Sequence, residues 1–61
     1  MKLTVCMPDE TERKITLPTM PRVGEHLAFD GQEFVIVRLC YEFTREVLTE
    51  VSLIVETPSS D

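Results

Sequence analysis

His26-Leu27-Ala28-Phe29-Asp30-Gly31-Gln32-Glu33-Phe34-Val35-Ile36-Val37-Arg38-Leu39-Cys40-Tyr41-Glu42-Phe43 holds a hairpin signal and the longest apolar-rich run of the chain, and the architecture follows from the two together. Asp30-Gly31 separates two alternating runs, and Asp-Gly in that setting marks a two-residue type I′ hairpin turn, which needs positive φ at both central residues. The first run, Val23 to Phe29, puts Leu27 and Phe29 on one face and His26 on the other. The second, Gln32 to Phe43, is apolar on both parities: Phe34 and Ile36 on one, Val35, Val37, Leu39, Tyr41 and Phe43 on the other. Such a strand is either covered on both faces or bends and changes faces halfway. In a chain of 61 residues the bend is the expected solution.

Towards the N-terminus the period stays at two. Leu3, Val5 and Met7 alternate with Lys2, Thr4 and Cys6, then Pro8-Asp9-Glu10-Thr11 forms a polar turn, and Arg13 to Leu17 alternates again, burying Ile15 and Leu17. The prolines Pro18 and Pro21 cannot donate to a ladder, so the chain leaves the sheet there and crosses over. Towards the C-terminus, Thr44-Arg45-Glu46 reads as a turn and Val47 to Glu56 as the last strand. A rival reading places one short helical turn near residues 43–50, because Val47, Leu48 and Val51 also match a helical spacing. Val and Thr favour the strand, and no capping pair precedes the segment. The result is an all-β domain over residues 1–57, a small five-stranded antiparallel half-open barrel, with residues 58–61 as a frayed tail.

The residues also carry a resemblance. Arg22-Val23-Gly24-Glu25, a strand, and then Asp30-Gly31-Gln32-Glu33-Phe34-Val35-Ile36-Val37-Arg38 resemble the Gly-Asp/Glu-x-hydrophobic…Gly-x-x-hydrophobic-x-Val core of SH3-like barrels, KOW-type modules among them. Pro21-Arg22-Val23-Gly24-Glu25 is similar to a Pro-Arg-Val-Gly-Asp/Glu segment in short proteins encoded by bacteria and their phages. The match spans residues 21–39 and implies an SH3-like frame. KOW modules are usually basic on their RNA-facing side, and here this sequence departs from them.

The chain has 11 acidic and 6 basic residues, a net charge of −5, which disfavours phosphate binding and direct contact with nucleic acid. Its longest uncharged apolar run, Phe34 to Val37, is far shorter than the roughly 20 residues of a bilayer span. The N-terminal stretch lacks the pattern of a signal peptide, and a cytoplasmic location is the expectation. Cys6 and Cys40 are expected to be small buried hydrophobes with reduced thiols. They form no close ligand pair with His26, so neither a metal nor another cofactor is expected. His26 and Glu25 point to opposite faces of one strand and cannot act as a base and its orienter. No enzyme is expected.

Binding remains, and two sets of residues are candidates for it. Glu42, Glu46, Glu50 and Glu56 share even parity and would form an acidic stripe. Tyr41 and Phe43 belong to an apolar excess too large for a 61-residue barrel to bury, so they are the expected anchors. The leading reading is a non-enzymatic protein-binding β-barrel module that forms a homodimer or docks on a host protein complex. The alternative is a phage-type acidic inhibitor, anti-CRISPR-like or a nucleic-acid mimic, blocking a basic nucleic-acid-binding host protein. A KOW-like RNA- or DNA-binding module using Arg13, Lys14, Arg22 and Arg38 ranks third because of the acidity.

Overall fold

The computed structural model describes residues 1–58. Five strands follow one another: β1 (Lys2–Cys6), β2 (Glu12–Thr16), β3 (His26–Phe29), β4 (Gln32–Thr44) and β5 (Val47–Glu56). They form one sheet in the order β2-β1-β5-β4-β3, curled into a half-barrel. Three of its four ladders are antiparallel, but β1 and β5 run parallel, with Thr4, Val5 and Cys6 beside Ser52, Leu53 and Ile54. The expectation of an all-antiparallel sheet is therefore corrected to a mixed one. Hydrophobic period reports which face a residue occupies and is blind to strand direction. The helical turn near residues 43–50 is corrected as well, since β4 continues to Thr44 and β5 starts at Val47.

The half-barrel is open between its edge strands, β2 and β3. One end of that seam is bridged by Arg13, whose guanidinium lies 4.9 Å from the centroid of the Phe29 ring and 3.4 Å from Asp30 Oδ2. The core lies on the concave face, where Leu3, Val5, Phe34, Ile36, Val51, Leu53 and Val55 are buried. Around them pack the half-buried Met7, Ile15, Leu17, Met20, Leu27, Phe29 and Leu39.

The long fourth strand resolves its double parity through a β-bulge. Ile36 faces Val55 and Arg38 faces Ile54, so Val37 is the extra residue. Before it Phe34 and Ile36 point into the core; after it Leu39 packs on the core opposite Leu53, and Tyr41 follows on the same face, exposed, opposite Val51. One inserted residue exchanges the two parities and bends the strand, which is the change of faces the apolar pattern demands. The same bulge sends Cys40 to the convex face, where it is exposed, and Cys6 is only partly covered. The expectation of two buried cysteines is corrected accordingly.

Three turns place non-glycine residues in left-handed backbone. Asp30 (φ 52) and Gly31 (φ 83) form the turn that Asp-Gly announces, and Arg45 (φ 53) and Glu46 (φ 68) make the equivalent turn between β4 and β5 without a glycine. Glu10 (φ 70) closes the β1–β2 hairpin, where its N–H donates to Met7 O at 3.1 Å. In that loop the Thr11 N–H and hydroxyl both donate to Asp9 Oδ1, at 3.1 and 2.6 Å.

Candidate functional site

β4 has 13 residues, and at about 3.3 Å per residue it accounts for nearly the whole 43 Å long axis of a molecule only 20 × 19 Å across. Its neighbours do not follow it that far. β3 pairs only with Gln32 to Val35, extended by Gly24 and Glu25 bonding to Ile36. β1 reaches only Ser52 to Ile54 on the other side. Beyond those points β4 and β5 continue as a two-stranded arm ending at Arg45-Glu46. A two-stranded ribbon on its own is marginal in water, so an arm of this kind benefits from a cover.

The arm carries the expected anchors. Tyr41 and Phe43 lie on the concave side, opposite Val51 and Leu48. Their exposures, 47% and 60%, are joined on that side by 46% for Leu48, whereas Val47, 63% exposed, pairs with Thr44 and so lies on the other face of the hairpin. The patch therefore comes from both strands of the hairpin. Nothing in the sequence marks Leu48 as an anchor, because only strand pairing places it across from Phe43.

The acidic residues are more dispersed. Glu42 and Glu50 face each other across the hairpin, Glu46 lies in the turn, and Glu56 is six positions from Glu50 at the other end of β5. Glu50 is engaged: the Thr4 hydroxyl donates to its Oε2 at 2.9 Å, and Lys14 Nζ donates both to Thr4 Oγ1 at 2.7 Å and to Glu50 Oε2 at 3.2 Å. Thr4, itself buried, links β2 to β5 across β1. The Thr4 hydrogen bond, followed by the bond and charge of Lys14, holds the Glu50 carboxyl below its usual range. Asp9 is lowered in the same way by the Thr11 side-chain and backbone donors.

These two shifts predict an acid response. Both groups have a lower pKa folded than unfolded, so their stabilisation is complete above their ordinary values of 3.8 and 4.5 and fades as pH falls through the depressed ones. Urea unfolding of Glu50→Gln should show a shallower loss of stability than wild type between about pH 5 and pH 3. An identical slope would mean that the Lys14–Thr4–Glu50 bonds do not persist in solution.

Other chemistry is sparse. His26 Nδ1 is 3.4 Å from Glu33 Oε1 on the exposed side of the β3–β4 hairpin. Among the described residues no group of three or more His, Cys, Asp or Glu is placed to hold a metal ion. The chain matches no family model, no curated protein and no solved structure.

Proposed function

We propose that the chain is a non-enzymatic, cytoplasmic protein-binding module built on an SH3-like half-barrel, and that the β4–β5 arm is its binding element. The observation that carries this reading is the exposed apolar cluster Tyr41, Phe43 and Leu48 on one face of a hairpin that leaves the body of the domain. Aromatic and aliphatic side chains held out on a β surface contribute affinity by losing water against a partner. The partner is a second copy or a protein of a host complex. An aromatic anchor loses its contact when truncated and is insensitive to salt, whereas charge-led docking weakens as salt is added.

The acidic-inhibitor reading draws support from the net charge of −5, but the engagement of Glu50 by Lys14 and the distance to Glu56 leave its stripe discontinuous. Affinity capture with the tagged chain, washed at low and high salt, separates the two. The proposal expects partner retention at high salt and loss on Tyr41→Ser with Phe43→Ser. Retention by that double variant, together with loss on reversing Glu42, Glu46 and Glu50, would establish the charged reading in its place.

A further inference from the structure

We infer that the open edge of β4 pairs antiparallel with the same edge of a second copy, about a two-fold axis at Cys40. This rests on the arm being the binding element and names its partner. From Arg38 to Thr44 the β3 side of β4 has no neighbouring strand among the described residues. The stretch contains no Pro, Gly or Lys that would discourage pairing. It carries one positive and one negative charge, Arg38 and Glu42.

The direction of the backbone groups selects the register. Thr44 and Val47 flank a two-residue turn and so exchange hydrogen bonds, and antiparallel alternation then turns the N–H and C=O groups of Phe43, Tyr41 and Leu39 outward. Ile36, which bonds Glu25 and Gly24, agrees with this from the other end, beyond the Val37 bulge. Pairing centred on Cys40 lets Leu39 and Tyr41 exchange these outward bonds with Tyr41 and Leu39 of the second copy. The two Cys40 residues then face each other in a non-hydrogen-bonded pair, with Cα atoms about 4.5 Å apart.

Charge complementarity favours that centre over its neighbours. Arg38, Cys40 and Glu42 alternate on the convex face, so inversion about Cys40 sets Arg38 opposite Glu42 of the second copy, twice. Among the described residues neither side chain makes an ion pair, and Glu42 faces the like-charged Glu50 within its own hairpin. Centring on Tyr41 would instead set Arg38 opposite Thr44 and Cys40 opposite Glu42, with no opposite charges matched. On the concave face the Cys40 register lays the exposed Tyr41 against the half-buried Leu39 of the other copy. This is an isologous contact, closed at two copies.

Sedimentation velocity over a concentration series tests it with four full-length proteins: wild type, Arg38→Glu, Glu42→Arg and the double reversal. Each single reversal sets two pairs of like charges across the axis, so each should weaken the dimer about tenfold or more. The double reversal should return it to within roughly threefold of wild type. A second readout uses diamide, which takes up the two thiol hydrogens as the S–S bond forms. The cross-linked dimer should survive Cys6→Ser and vanish with Cys40→Ser, because a 4.5 Å Cα pair lies inside the disulfide range of about 4.4–6.8 Å.

A monomer at every concentration would overturn the inference, as would a dimer whose affinity ignores both single reversals. Each of these leaves the function testable by itself. A monomer that still retains a different protein through Tyr41 and Phe43 keeps the binding reading and changes only the partner. One that retains none through those residues ends both.

Discussion

Leu53→Ala should remove about half of the domain's stability. Leu53 sits in the middle of β5, the strand flanked by the parallel β1 and the antiparallel β4, and its side chain is completely buried between Val5 and Leu39. Truncating a leucine at such a site costs about 2–5 kcal/mol, the transfer term plus the cavity it leaves. A chain of this length has only about 3–9 kcal/mol of stability to lose. A melting curve followed by circular dichroism should therefore move down by at least about 10 °C. A shift of only a degree or two would mean that β5 is not the centre of the core. Val55→Ala, at the end of the same buried row, should give a smaller loss because less volume is removed.

The second large effect has the opposite sign. Arg45 and Glu46 occupy consecutive left-handed positions, where a side chain costs about 1–2 kcal/mol at each residue. Asn and Gly are the residues that accept this turn without strain. Arg45→Asn combined with Glu46→Gly should raise stability by about 1–2 kcal/mol in total, or several degrees in a domain of this size. Thermal and urea denaturation should agree on the gain. No change would indicate that the arm is already frayed at its tip in solution, so that its turn contributes nothing to the cooperative transition. The substitution also removes one member of the acidic set, so an unchanged partner affinity in the stabilised variant would separate Glu46 from binding.

The parts of this architecture legible in the residues are those governed by local rules. Asp30-Gly31 announces its turn because both positions are suited to positive φ, and the double parity of Gln32 to Phe43 demands the face change that the Val37 bulge supplies. Tyr41 and Phe43 could be marked as surplus by counting apolar side chains against the size of the core. What could not be read depends on long-range pairing. Nothing in an alternating pattern tells β1 to lie parallel to β5, and nothing near Glu50 shows that Lys14, 36 positions away, will bond to it. Thr44-Arg45-Glu46 reads as a turn only from the runs on either side of it, since it contains no Gly, Asn or Pro, and a helical turn matches the same residues. The exposure of Cys40 follows from where the bulge falls, and an apolar run of both parities leaves that position open.

Thermal stability and association, measured together for Tyr41→Ser with Phe43→Ser, separate a role of the arm's apolar residues in association from a role in folding. At 47% and 60% exposure these side chains contribute little to the buried core, so the variant at a concentration where wild type is monomeric should melt within a few degrees of it. Its retention of any partner, second copy or other protein, should be lost. A variant that unfolds would show that these side chains belong to the core, and one that keeps its partner undiminished would show that they lie outside the interface.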